Sequence, residues 1–158
     1  GYSGIFISEY PDWSDPMGNV IKFSEATSIA LHAALLLSAP GTGRMTVGEL
    51  AASIGASEAH LSKVVQHLTR AGILRSKSGP GGGVELAADP SRLKLLDVYE
   101  AMEGKSSKGG CPLGKGLCPF GGRCLFGGLM GRVEDQVLDF LARTTLGDFW
   151  KGERQFVD

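Results

Sequence analysis

The stretch from Gly104 to Gly128 sets the strongest limit on what this chain can fold into, because a segment so rich in glycine has too few packing side chains to form a core. It must be held by the structure on either side of it or by a bound group. All three cysteines of the chain, Cys111, Cys118 and Cys124, lie within it. Pro112 and Pro119 each follow a cysteine directly, and the glycines permit tight bends and close approach to a ligand. No acidic residue occurs from Lys105 to Arg132, whereas Lys105, Lys108, Lys115, Arg123 and Arg132 are cationic. Such a setting favours thiolates and suits an anionic metal–thiolate centre.

Gaps of six and then five residues between the cysteines do not match the paired Cys-x-x-Cys knuckles of structural zinc, and no nearby histidine pair completes a four-ligand set. Three soft thiolates with one ligand missing fit an iron–sulfur cluster, 2Fe-2S or 4Fe-4S, completed by a distant residue, a partner chain or a small molecule. The rival reading is a cluster-free thiol/disulfide switch. A simple structural disulfide is disfavoured by the odd count. The N-terminus lacks the charged, apolar and small-residue parts of a secretory signal, so a reducing cytoplasm is the expected compartment.

A chain of 158 residues has room for one good core with an appendage. A net charge of −1 means that any nucleic-acid binding rests on a local patch. The longest apolar run, from Ile29 to Ala39, is interrupted by His32 and Ser38 and falls short of the roughly 18–20 residues of a membrane span. No membrane partner is expected.

Residues 1–18 mix Gly, Ser, Pro11, Pro16 and scattered aromatics without a period and read as an extension, vector-derived in part or disordered, with Met17 as the native start. A winged domain is expected over 19–104, the cysteine loop over 105–128, and a long helix with its tail over 129–158. Ser24 caps a first helix running to about Leu37, and Thr46 with Glu49 forms a capping box for a second reaching about Ser53. A turn at Gly55 leads to Ser57, which caps a third helix with Leu61, Val64, Val65 and Leu68 facing inward. Two short helices joined this way suggest helix-turn-helix. The third helix then turns Glu58, Ala59, His60, Ser62, Lys63, Gln66 and His67 outward, the kinds of donors and acceptors that read base edges.

Ile73–Lys77 and Val84–Leu86 read as strands around a Ser78–Gly83 turn, a β-hairpin wing with Arg75 and Lys77 as counter-charge for phosphate. A break at Asp89-Pro90 precedes a helix ending before Gly104. After the cysteine loop, Leu129 to about Arg143 forms a long amphipathic helix that calls for a partner surface, most economically its copy in a two-fold dimer on palindromic duplex DNA. The fold class is mainly α with a small hairpin: a winged helix-turn-helix domain plus a long dimerisation helix.

These segments together resemble the IscR/NsrR-type family of bacterial winged-helix regulators, over about Ile21 to Phe149. The resemblance is carried by Ala51–Ser57, Leu68–Leu74, the wing Gly79-Pro80-Gly81-Gly82-Gly83, Leu95-Leu96-Asp97-Val98, the three cysteines and Thr145-Leu146-Gly147-Asp148. It implies a dimeric, cytoplasmic, cluster-sensing transcription factor in which iron supply, oxygen or nitric oxide alters DNA affinity. It implies cluster ligation by Cys111, Cys118 and Cys124, and DNA contact by Ser57, Ala59, His60, Ser62, Lys63, Lys77, Ser78, Gly79 and Gly81.

Several positions depart from that pattern. The first cysteine gap is one residue longer than usual, Ser78 stands where many members have a wing arginine, and His60 replaces a common tyrosine. Gly127 occupies the place of one branch's histidine ligand and Ser28 that of the other's carboxylate ligand. The family pattern places the missing ligand on the first helix of the partner subunit, where Glu25, Ser28 and His32 share one face; His32 is the first choice and Glu25 the alternative. Against the regulator stand an enzyme or electron carrier built on the same cysteines, and a winged-helix protein-interaction module. No acid/base pair, activated nucleophile or second cofactor motif accompanies the cysteines, so the chain is not expected to be an enzyme.

Overall fold

The computed structural model describes residues 21–105, 126 and 128–151. In chain order they form α1 (Glu25–Leu37), α2 (Val47–Ile54), α3 (Glu58–Arg70), strands β1 (Leu74–Lys77) and β2 (Gly83–Leu86), a 3-10 turn at Pro90–Arg92, α4 (Leu95–Glu103), α5 (Leu129–Arg143) and α6 (Asp148–Lys151). The fold is mainly helical with a two-stranded antiparallel hairpin, in the order expected. No helix among the described residues is long and apolar enough to cross a membrane.

Capping side chains fix where the first three helices begin. Ser24, Thr46 and Ser57 each accept a backbone N–H three residues on, from Thr27, Glu49 and His60. These bonds satisfy donors that have no partner within the helix. Ala30, Ala33 and Ala34 on α1 are fully buried, and such small side chains let α3 and α4 pack closely on this helix. Leu50 of α2, Leu61, Val64 and Leu68 of α3, Leu74, Val84 and Val98 complete the core with Leu37 and Ile73.

The hairpin pairs Leu74 with Leu86, Arg75 with Glu85, Ser76 with Val84 and Lys77 with Gly83. Its first strand is shorter than the expected Ile73–Lys77. The N–H of Ile73 donates to the carbonyl of Leu68, so this residue closes the end of α3, while its own carbonyl accepts from Ala87. On the outer edge of β2, Met45 exchanges both backbone bonds with Val84, at 3.0 and 2.7 Å. The hairpin is thereby tied to the segment leading into α2.

The Thr-Leu-Gly-Asp run after α5 has a physical explanation at each position. Thr145 donates its N–H and Oγ1 to the Asp148 carboxylate and accepts from the Asp148 N–H, which starts α6. Leu146 is fully buried in the winged-domain core. A Cβ on Gly147 would lie 3.1 Å from the Ser91 nitrogen, so glycine suits this close approach. A backbone bridge between Lys94 and Thr145, and a bond from Trp150 Nε1 to Ser38 Oγ, further anchor the segment after α5.

Candidate nucleic-acid interface

The reading helix is set by the turn that precedes it. Gly55 adopts φ +69°, a left-handed conformation that costs glycine little, and ends α2 at Ile54, one residue beyond the expected Ser53. Ser57 then caps α3, whose buried stripe of Leu61, Val64, Val65 and Leu68 turns Glu58, Ala59, Lys63, Gln66, His67 and Arg70 to the surface. His60 and Ser62 are half-buried at the edge of that surface. Ser57 is exposed, with its Oγ engaged by the His60 N–H at 3.2 Å.

The wing follows through Ala71 and Gly72, and β1 packs against α3. Lys77, Ser78, Gly79 and Gly81 are all exposed at its tip, where Gly79 and Gly81 have φ of +87° and +68° and the Gly82 N–H donates to the Gly79 carbonyl. The fold thus puts the expected DNA-contacting side chains on two successive exposed elements, the face of α3 and the tip of the hairpin.

Charge at the wing departs from the sequence expectation. Arg75, expected as counter-charge for phosphate, donates from Nε to Glu85 Oε1 at 2.7 Å, across the register pair it forms with that residue. Arg44 lies 2.9 Å from the same oxygen and also donates to the Gly81 carbonyl. Hydrogen bonds from Arg44 and then Arg75 hold the Glu85 carboxyl below the usual glutamate range, against a smaller opposing effect of desolvation. Lys77 and Lys63 are engaged in no ion pair among the described residues. Arg44 was missed in the sequence, where it follows a Gly-Thr-Gly run outside every periodic segment.

The remaining predicted residues fall in two places. Cys111, Cys118 and Cys124 lie outside the described residues, among which there is no cluster of three or more metal-binding side chains. Glu25, Ser28 and His32 form an exposed row on α1. His32 is not a core histidine; its Nδ1 lies 2.7 Å from the Ser28 carbonyl on the helix surface. With Nδ1–H donating there, the lone pair of the neutral ring is on Nε2.

A contact the sequence did not reveal anchors α4, the helix that precedes the cysteine-bearing segment. Glu103, at the end of α4, accepts from the Ser24 N–H at 2.9 Å and from the Thr27 hydroxyl at the start of α1. Later in the chain, α5 packs on α4, with Glu134 and Leu141 buried, while Leu129, Val133 and Phe140 remain exposed.

A family model described as Rrf2, "Iron-dependent Transcriptional regulator", matches residues 23–152. The HTH-type transcriptional regulator IscR of Vibrio campbellii is 35% identical over 97 residues, 61% of this chain and 57% of that protein. The chain thus spans little more than half the length of that curated relative. Among solved structures, CymR, the global cysteine regulator of B. subtilis, is 25% identical with a TM-score of 0.66, covering 83% of this chain and 97% of its own. IscR of T. potens shares the fold with a TM-score of 0.66 at 24% identity, covering 87% of this chain and 93% of its own.

Proposed function

Because the chain belongs to the Rrf2 family of transcriptional regulators, we propose that it binds duplex DNA as a homodimer and that an iron–sulfur cluster gates this binding. The observation that carries the DNA-binding part is the exposed polar face of α3 followed directly by an exposed glycine-rich wing. In this reading α3 enters the major groove with Ser57, Ala59, His60, Ser62 and Lys63 toward the bases and phosphates. Lys77, Ser78, Gly79 and Gly81 lie along the backbone. The exposed Leu129, Val133 and Phe140 of α5 form the face that meets a second copy, placing two reading helices on one palindromic operator.

The chain divides accordingly into an extension over 1–18, a winged domain over 19–104, the cysteine loop over 105–128 and the dimerisation helix with its tail over 129–158. Cys111, Cys118 and Cys124 supply three thiolates, and His32 of α1, through Nε2, supplies the fourth ligand across the dimer, with Glu25 as the alternative. The donor chemistry fits: soft thiolates in a cationic loop, and an exposed imidazole whose Nδ1 is already occupied. When bound, the cluster supplies sensitivity to iron, redox state or nitric oxide. A ligand shared between subunits links that state to the spacing of the two reading heads. The protein works in the cytoplasm, where thiols stay reduced.

Likeness to CymR, solved from Staphylococcus aureus in an oxidized form, favours one second reading, a thiol switch at the same cysteines without a cluster. Anaerobic reconstitution with iron and sulfide separates the two. The cluster reading expects visible absorption with stoichiometric iron and sulfide, lost in each Cys→Ala variant and weakened by His32→Ala or Glu25→Ala. A colourless product that still switches DNA affinity with thiol oxidation supports the second reading. Absence of specific DNA binding in either form leaves the protein-interaction module.

A further inference from the structure

We propose that Arg44 is the positioning residue of the wing: it sets where the hairpin tip lies against DNA, acting through Glu85 and the tip backbone. The inference rests on the DNA-binding reading above. Two terminal nitrogens of one guanidinium hold different parts of the hairpin, Nη2 at 2.9 Å from Glu85 Oε1 in β2 and Nη1 at 3.3 Å from the Gly81 carbonyl in the tip. Only a forked side chain holds both at once; the lysine ammonium is a point charge. Backbone pairing of Met45 with Val84 brings Arg44 alongside β2, and a Cβ on Gly83 would lie 2.9 Å from Arg44 Cγ. The stem of Arg44 therefore packs on the hairpin while its head spans from strand to turn.

The two arginines on Glu85 have different roles. The Arg44 side chain is 28% exposed and that of Arg75 is 67% exposed, so Arg44 is the inner arm and Arg75 the outer. Glu85 is itself only 23% exposed, and its ion pair with Arg44 joins the segment before α2 to the wing. Because β1 also packs on α3, this ties the tip to both helices of the reading motif. The Nε of Arg44 is buried without a hydrogen-bond partner among the described residues. Lysine at this position removes that orphaned donor and keeps the charge, while losing the fork.

The test uses the full chain and a duplex that it selects from a random-sequence pool, with Arg44→Lys and Arg44→Met as variants. Both should bind about tenfold more weakly, on the scale of one lost DNA contact. Hydroxyl-radical protection should disappear at the positions flanking each half-site and persist within it, and the salt slope of Arg44→Lys should fall by about one unit although the charge at position 44 is kept, because the displaced wing withdraws Lys77 from phosphate. Lys77→Ala, placed on top of Arg44→Met, should cost less than it does alone, because the wing is already displaced. Native affinity and flanking protection in Arg44→Lys, or full additivity of Arg44→Met with Lys77→Ala, would overturn the inference while leaving DNA binding intact. Failure of the native chain to select any duplex would overturn the DNA-binding reading, and this inference with it.

Discussion

Replacing Gly83 with alanine should damage the protein more than the same change at Gly79, although both glycines sit in one short hairpin at positive φ, +141° and +87°. Each substitution places an L-residue in a region it rarely occupies, a strain of about 1–2 kcal/mol. At Gly79 the new methyl meets nothing within 4 Å, so strain is the whole effect. At Gly83 the methyl would lie 2.5 Å from the Met45 carbonyl oxygen and 2.8 Å from its carbon, both backbone atoms that cannot rotate away. Met45 must shift, weakening the two bonds it exchanges with Val84, each worth about 0.5–1.5 kcal/mol. The expected losses are about 1–2 kcal/mol for Gly79→Ala and about 2–5 kcal/mol for Gly83→Ala. Urea unfolding followed by far-ultraviolet circular dichroism, at one fixed protomer concentration, reads the difference directly. Equal costs for the two variants would refute the closure of the hairpin by Met45.

Three further outcomes follow from the packing. Leu61→Ala and Leu68→Ala, at fully buried positions of α3, should each lower unfolding free energy by about 2–5 kcal/mol in the same assay. Burial pushes the Glu103 carboxyl up, but hydrogen bonds from Ser24 and Thr27 outweigh it and leave the group below the ordinary glutamate range. Ionised Glu103 therefore stabilises the fold above that range, and the stability lead over Glu103→Gln should hold at neutral pH and close as pH falls below about 4, read by urea midpoints across pH. Val133→Glu, on the exposed apolar face of α5, should break the proposed dimer in sedimentation velocity; a native monomer would refute that dimer, and a dimer unchanged by the substitution would refute its placement on α5.

The helix starts were legible because each is written in one short local signal. Ser24, Thr46 with Glu49, and Ser57 announce their helices within three residues, and the structure places all three caps there. Leu61, Val64, Val65 and Leu68 likewise gave the inner face of α3 from spacing alone. What escaped were contacts between segments far apart in the chain. Met45 and Val84 form a single bridge, too short to impose a period, and Arg44 carries no pattern at all. Glu103 and Thr27 are joined across 76 residues, and neither position differs in sequence from an ordinary surface glutamate or helix threonine. Arg75 illustrates the same limit: its charge was legible, its engagement with Glu85 was not, because that depends on hairpin register. The 3-10 turn at Pro90–Arg92 was read only as a break, since proline marks an interruption without fixing its geometry. Of the candidate site, the α3 and wing residues stand together on the surface, while the ligand role of the cysteines rests on residue chemistry and resemblance.

The most direct test of a cluster-gated regulator is one titration performed twice on a single preparation. A fluorescent duplex selected from a random-sequence pool is titrated with anaerobically reconstituted protein, then with the same protein after the cluster has been removed and the cysteines kept reduced. A cluster-gated regulator should bind specifically in at least one state, with affinities that differ by about 5-fold to 150-fold between the two, the usual size of a coupling between sites. Equal affinity in both states for every duplex the protein selects would contradict it.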